Sequence, residues 1–474
     1  MRRLSTLALS AMVVALFAAS CAPSITPSTA PSTSVAPTQS SAPTPTITPT
    51  LAPTASPTPS PTDSGPALLG FLGLTSSYTL VTSVDYDKGT ISATETVQVT
   101  NTTDVNVGYL DFNIMPRAFG EFTLSGTPTV DGAPINEVTY SNNVTLVVPT
   151  PGFIVGETKT IVITFVDKPS AKVVNDLDQR LSRANGIMQA AQWFPIISDG
   201  HGVANLGDSQ FTEAATDIVF DVTLARAMPL AAPGVLVSQS GLHYVYNLTN
   251  ARDYAFAVSP NYHVATGTVN GITIKSFYTN GAGKTALSYA KSALATYASN
   301  YGAYPWTTYI IAQGADPAAG DEWPAMTTIG GSYLSSKYVV THEVAHQWWY
   351  AIVGDDQINS SWLDEAFAEF SGRYFFGSGF SYNSTLAVNL PASAFSSFCC
   401  ARNSYGQTIY YKGAYMLNAL RAQMGTAAFF RAMRQIQTTY RFGIATDAGV
   451  IAIFEANSPN KAATDKLLRT YLKF

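Results

Sequence analysis

The stretch His342-Glu343-Val344-Ala345-His346 is the most informative part of the sequence, because it holds two of the chain's five histidines. On a helix, residues four positions apart lie on one face, so both imidazoles can bind one ion. Glu343 is rotated by about 100° from His342, which places its carboxylate beside that face, within reach of a water molecule on the ion. In a chain so poor in histidine, chance produces this pattern on the order of once in a thousand sequences. The stretch therefore predicts a metal site on a helix.

A zinc site requires a third protein ligand and, for catalysis, an open fourth position. Residues 360–369, SSWLDEAFAE, have the pattern of a helix start, with Ser361 and Asp364 placed as in a capping box. If this second helix runs antiparallel to the first, it brings a carboxylate back toward the histidines. By spacing alone Glu365 and Glu369 are both candidate ligands, whereas Asp364 is expected to point elsewhere. For Glu369 we favour a solvated or supporting carboxylate.

The N terminus has the pattern of an export signal. Arg2-Arg3 precede an apolar run over residues 4–20 that ends in small side chains. Cys21 follows directly and resembles the cysteine of a bacterial lipobox, which receives a lipid after cleavage. Residues 1–21 are thus predicted to be a signal peptide that leaves a lipid on Cys21. A plain export signal and an uncleaved membrane anchor are the alternatives, although about 20 apolar residues are needed to span a bilayer.

Residues 22–66 contain 12 of the chain's 27 prolines, interleaved with Ser, Thr and Ala. Such a segment cannot bury a hydrophobic core, so it predicts a disordered, extended tether. Together with the preceding segment, it indicates an exported protein held by its lipid at the outer face of a bacterial cell membrane, either extracellular or periplasmic.

The remaining chain divides into two regions by the periodicity of its apolar residues. From 67 to 268 the pattern alternates with period two, as in Ile161, Ile163 and Phe165, which is typical of strands. From 269 to 474 the spacing becomes helical, for example over 286–297 and 408–424. We predict a multidomain α+β protein, with a mostly-β domain at 67–268 and a largely α-helical domain at 269–474.

Composition excludes one class of partner. The 474 residues include 26 Lys and Arg against 31 Asp and Glu, for a net charge of −5, and only 12% of residues are charged. Binding to nucleic acid requires clustered cations, and the longest basic run is Arg2-Arg3. Nucleic acid is therefore not an expected partner.

The spacing between the His342–His346 motif and a second motif that contains Glu365 resembles that of a known family. His342-Glu343-x-x-His346 is followed by 18 residues and then Glu365, within the sequence WLDEAFA at 362–368. This resembles the aminopeptidase N family of zinc peptidases, whose second motif typically reads WLNEGFA. The resemblance implies one zinc ion held by His342, His346 and Glu365, in a thermolysin-like catalytic domain. It extends over roughly residues 75 to 474.

Two further segments resemble the same family. The sequence GDEWP at 320–324 is similar to the family's substrate-amine loop, which implies that Glu322 binds the free α-amino group of a peptide. In this loop Asp321 takes the place of the usual Met. The sequence YYKG at 410–413 resembles the family's Y-x-K-G and implies that Tyr410 stabilises the oxyanion of the transition state. The resemblance further implies that Glu343 activates a water molecule bound to the zinc ion.

The resulting hypothesis is an exported zinc metallopeptidase that hydrolyses peptide bonds, most simply an aminopeptidase that releases N-terminal residues. Two alternatives stay open. A zinc endopeptidase of the same fold is one, because Asp321 departs from the family's amine loop. A catalytically silent, peptide-binding lipoprotein that keeps the fold and the zinc is the other.

Overall fold

The computed structural model describes residues 73–171, 173, 180–198, 213–317, 320–377, 379–398 and 401–474. These residues belong to one compact unit. The predicted signal peptide with Cys21 and the predicted tether lie outside the described residues. Among the helices that are described, none is long and apolar enough to cross a membrane.

The first region consists of strands. They are β1 (Leu74–Asp85), β2 (Thr90–Asn101), β3 (Val107–Asn113), β4 (Phe122–Leu124), β5 (Thr129–Val130), β6 (Ala133–Pro134), β7 (Thr139–Tyr140), β8 (Thr145–Phe153), β9 (Thr158–Asp167), β10 (Leu181–Ala184), β11 (Ile187–Ala190), β12 (Ile196–Ile197), β13 (Ala215–Leu224), β14 (Leu230–Ala231), β15 (Val235–Ser240), β16 (His243–Ala251) and β17 (Phe256–Val258).

These strands form a large sheet in the order β15-β16-β13-β1-β2-β9-β5-β6, in which β4 also pairs with β9, and two smaller sheets, β10-β11-β17-β14 and β12-β3-β8-β7. The predicted alternation is confirmed, because Ile161, Ile163 and Phe165 on β9 are all fully buried while their neighbours are partly exposed. Burying one face of each strand supplies the hydrophobic core of this region.

The second region combines strands and helices. Its elements are β18 (His263–Val269), β19 (Ile272–Tyr278), α1 (Gly283–Tyr301), β20 (Thr308–Gln313), β21 (Gly320–Trp323), β22 (Met326–Ile329), α2 (Lys337–Ala345), α3 (Glu365–Phe376), a π-helix (Gly406–Lys412), α4 (Gly413–Met424), α5 (Thr426–Thr439), α6 (Asp447–Asn457) and α7 (Lys461–Tyr471). The strands form a sheet in the order β18-β19-β20-β22-β21. The predicted fold class, α+β with a mostly-β part before a largely helical part, is confirmed.

The predicted boundary at 268/269 falls within a hairpin. Asn270 and Gly271 join β18 to β19, and both have positive φ angles, of 50° and 81°. An Asn-Gly pair with positive φ is the favoured two-residue connection between antiparallel strands. Because β19 also pairs with β20, the hairpin is part of the sheet of the second region.

Two helix predictions differ from the structure in detail. The predicted helix over 408–424 begins as a π-helix at Gly406 and continues as α4 up to Gly425, whose φ is 85°. The predicted capping box is wrong, because a short 3₁₀ turn, Ser361–Leu363, precedes α3 and moves Ser361 away from the capping position. Its hydroxyl donates instead to the carbonyl of Gln357, at 2.7 Å.

Candidate active site

Three potential metal ligands converge between α2 and α3, which pack against each other. His342 Nε2 and His346 Nε2 lie 3.1 Å apart, and Glu365 Oε2 lies 3.3 Å from the first and 3.5 Å from the second. All three residues are buried. Donors about 2.1 Å from a tetrahedral zinc ion are separated by about 3.4 Å, so this set of atoms fits that ion.

A carboxylate contacts Nδ1 of each histidine, the ring nitrogen that faces away from the ligand group. His346 Nδ1 contacts Asp364 Oδ1, and Gln357 donates to the other oxygen of Asp364 at 2.9 Å. His342 Nδ1 lies 3.2 Å from Glu369 Oε2. Such partners orient an imidazole so that its Nε2 faces the metal. As expected, Asp364 is not among the ligand atoms, but the spacing did not predict that the turn before α3 directs its side chain to Nδ1 of His346.

Glu369 is completely buried, so a solvated position is excluded and the supporting position remains. Besides lying beside His342, its carboxylate accepts hydrogen bonds from Tyr338 Oη and Arg373 Nε, both at 2.5 Å. The guanidinium of Arg373 compensates the buried negative charge, and this ion pair explains how a carboxylate is accommodated there.

The electrostatics of the site favour a cation. Burial alone lowers the pKa of His342, but hydrogen bonds to Glu365 and Glu369 raise it to about 9. Burial likewise opposes the charge on His346, yet the nearby Asp364 raises its pKa well above the usual range. Burial raises the pKa of Glu365, and its hydrogen bonds to the two histidines lower it to about 2. The carboxylates thus stabilise positive charge at the point where the ligand atoms meet.

Glu322 and Glu343 also lie close to His346. Ligand atoms of these three buried residues are all within 4.8 Å of one another. Glu322 is on β21, whose backbone passes against Glu343: a Cβ atom added to Gly320 would lie 2.4 Å from Glu343 Oε1. The neighbouring Asp321 accepts a hydrogen bond from the Thr328 hydroxyl at 3.2 Å, and strand alternation directs it away from Glu322.

Tyr410 completes the group. Its hydroxyl donates to Glu365 Oε1, and its ring lies parallel to that of His342, with centroids 5.6 Å apart and an interplanar angle of 8°. The structure therefore brings together all six residues singled out in the sequence. Sequence reasoning missed the role of Asp364 behind His346 and the close approach of Gly320 to Glu343, because both contacts join segments that are distant along the chain.

Three comparisons bear on this arrangement. Residues 325–470 match the peptidase family M1 domain. The sequence is 30% identical over 131 residues to endoplasmic reticulum aminopeptidase 1 of Rattus norvegicus, an alignment covering 23% of this chain and 14% of that protein. For the Homo sapiens protein of the same name, the identity is 32% over 118 residues, covering 21% and 12%. The chain thus matches only a small part of the length of these relatives.

The fold is similar to solved structures over most of the chain. An M1 zinc metallopeptidase from Deinococcus radiodurans superposes with a TM-score of 0.65 at 16% identity, covering 85% of this chain and 95% of that one. Native yeast LTA4 hydrolase gives a TM-score of 0.62 at 15% identity, covering 84% and 68%.

The fold is that of zinc metallopeptidases of known structure, and the His-His-Glu group lies where a metal could bind. Residues 325–470 match a peptidase family M1 domain, which supports a relation of this part of the chain to the aminopeptidase N-type family. Members of this family are zinc enzymes, and His342, His346 and Glu365 are the described residues that could hold the metal.

Proposed function

We propose that this chain is a zinc-dependent aminopeptidase that releases N-terminal residues from peptides. The observation that carries the proposal is the buried pair of carboxylates, Glu322 and Glu343, placed next to His346 but outside the ligand group of Glu365. One carboxylate can serve proton transfer while the other binds a cationic N terminus. Two similar proteins support the proposal. The sequence relative is an aminopeptidase, and a mutant of the Deinococcus radiodurans enzyme was solved with Tyr-Ser-Ala bound as substrate.

Glu343 is the proposed general base and acid. When bound, zinc polarises the scissile carbonyl and makes water a better nucleophile at neutral pH. Glu343 accepts the proton of the attacking water on a carboxylate oxygen and returns it to the nitrogen of the leaving peptide. Its buried position beside Gly320 restricts the rotamers of the side chain, which keeps the carboxylate facing His346.

Tyr410 is the proposed donor to the oxyanion. Its hydroxyl already lies at the ligand group, bonded to Glu365. A rotation about the phenolic C–O bond turns the O–H from this carboxylate to a developing negative charge on the substrate. Such a donor contributes to the rate because it is oriented before the reaction starts.

Glu322 is the proposed anchor of the substrate's α-ammonium group. A buried carboxylate binds a cation strongly because little water competes with it. Holding the N terminus at a set distance from the ligand group determines which peptide bond is cleaved, and this distinguishes an aminopeptidase from an endopeptidase.

The test of the proposed function compares Tyr-Ser-Ala with its N-acetylated form, with products identified by mass spectrometry. We expect release of tyrosine from the free peptide alone, and a loss of about 10- to 100-fold in kcat/KM for Glu322→Gln, the size of one charged hydrogen bond. Internal cleavage of longer acetylated peptides would instead indicate an endopeptidase. No cleavage of any peptide by the zinc-loaded protein would favour the silent binding protein.

Substituting Gly320 by alanine tests the contact between β21 and Glu343. The new methyl group would lie 2.4 Å from Glu343 Oε1, so the carboxylate has to move. We expect kcat to fall by about 100-fold, since displacing a reacting group by about 1 Å has this effect, while zinc content stays unchanged. Gly126→Ala is the matched control, because a Cβ there meets no atom within 4 Å and the residue has no positive φ angle. Wild-type kcat in Gly320→Ala would contradict the assigned position of Glu343.

We also propose that the enzyme is exported and anchored by a lipid on Cys21, with peptides outside the cytoplasm as substrates. The support is the signal pattern of residues 1–21 and the proline-rich composition of 22–66. Cys21→Ala is expected to shift the peptidase from the membrane fraction to the soluble fraction of expressing bacteria, as measured by immunoblotting. An unchanged distribution would exclude the lipid anchor.

A further inference from the structure

The π-helix that carries Tyr410 is bonded along its length to one loop, residues 383–386. Asn383 N donates to Gln407 Oε1 at 2.8 Å, and the hydroxyls of Ser384 and Thr408 are 2.7 Å apart. The third contact, at the C-terminal end of the π-helix, is made by Lys412, whose Nζ donates to the Leu386 carbonyl at 2.6 Å.

Lys412 is an unusual residue for this place. It is buried, and no carboxylate of the described residues forms an ion pair with it. Its ammonium group lies 5.7 Å from the ring centroid of Tyr382 and 5.8 Å from that of Tyr471, and burial lowers its pKa. Burying an ammonium without an anion costs free energy, which an apolar side chain would avoid. A structural role alone therefore does not call for lysine.

Tyr410 and Lys412 point to opposite sides of the same helix. Tyr410 contacts His342 and Glu365, whereas Lys412 contacts the 383–386 loop and Tyr471. The next residue, Gly413, packs so closely on α3 that a Cβ there would lie 2.4 Å from Ala366 Cβ. The π-helix is thus held between α3 on one side and the 383–386 loop on the other.

A π-helix is a local departure from the α-helical hydrogen-bond pattern and is frequently found at functional sites. Relaxation of residues 406–412 to an α-helix would rotate Tyr410 relative to α4, since the two helices have different numbers of residues per turn. The bond from Lys412 to Leu386 opposes this rotation at the junction with α4.

We propose that Lys412 is a positioning residue: by bonding to the Leu386 carbonyl it holds the π-helix in the conformation that keeps the Tyr410 hydroxyl at the ligand group. The inference rests on the proposed function, in which Tyr410 acts on the transition state. It predicts that Lys412 affects turnover through Tyr410 while leaving binding of zinc and of substrate nearly unchanged.

The test measures kcat, KM and zinc affinity for Lys412→Met, Lys412→Arg, Tyr410→Phe and the double variant Tyr410→Phe/Lys412→Met, with Tyr-Ser-Ala as substrate. We expect Lys412→Met to lose about 100-fold in kcat, close to the loss of one oxyanion donor, with KM within about threefold. Lys412→Arg keeps a cationic donor, so it should recover most of that loss. The double variant should be no slower than Tyr410→Phe alone, because both substitutions remove the same interaction, that of the Tyr410 hydroxyl with the transition state.

Lys466→Met, at an exposed position on α7, is the matched control and should behave as wild type. If Lys412→Met does not fold, Lys412→Gln, which keeps a neutral donor, takes its place with an intermediate kcat expected. Unchanged kcat in a folded variant, or losses that multiply in the double variant, would overturn the role of Lys412 while leaving the proposed function intact. A zinc-loaded wild type without activity on any peptide would overturn both.

Discussion

Replacing Glu343 by glutamine is expected to lower kcat for peptide hydrolysis by about 10²- to 10⁴-fold, the range typical of a general base. Glutamine has nearly the same shape, so it fits beside Gly320, but it cannot accept the proton of the attacking water. Zinc content, measured by mass spectrometry of the purified protein, should stay at one ion per chain. The affinity for Tyr-Ser-Ala, measured by calorimetry, should also persist, because Glu343 is not assigned to the amine.

Glu137→Gln, at an exposed position in the β region, is the control for this experiment. The same chemical change there should leave kcat within about twofold of wild type, as is usual for surface substitutions. If Glu343→Gln keeps wild-type turnover, Glu343 is not the base. If wild type and variant both bind peptide and neither cleaves it, the chain is a binding protein that retains the zinc site.

The second large effect concerns the metal. We expect Glu365→Gln to lose zinc and, with it, all measurable turnover. The low pKa of Glu365, about 2, keeps it an anion throughout the working pH range, and glutamine removes that charge from the point where His342 and His346 meet. Zinc affinity, measured by competition with a chromogenic chelator, should fall far more than the 10- to 100-fold typical of a supporting residue.

The zinc affinity of Glu365→Gln is to be compared with that of Glu369→Gln. Glu369 contacts the far side of His342 and is expected to change zinc affinity by about 10- to 100-fold. Because the change also leaves Arg373 without its carboxylate partner, folding is checked by circular dichroism. Should Glu369→Gln lose the ion and Glu365→Gln keep it, the two carboxylates have exchanged roles and the ligand set is wrong.

Local patterns in the sequence were enough to predict much of this molecule. Alternation of apolar residues predicted the strands of the first region, since side chains of a strand point to opposite faces in turn. The four-residue spacing of His342 and His346 predicted one metal on one helix face, because that geometry depends only on the pitch of an α-helix. The sequence motifs of the family then indicated Glu365 and Tyr410, residues that the structure places against each other.

Other features required the tertiary structure, because they depend on which distant segments come to lie together. Spacing alone left both Glu365 and Glu369 as candidates, and the packing of α3 on α2 placed Glu365 at the ligand atoms and Glu369 at Nδ1 of His342. The same packing directed Asp364 to His346. The sequence by itself determined the types of residue and their spacing within helices and strands. Only the fold decided the distances across them, since close packing between segments far apart in the chain sets those distances to within an ångström.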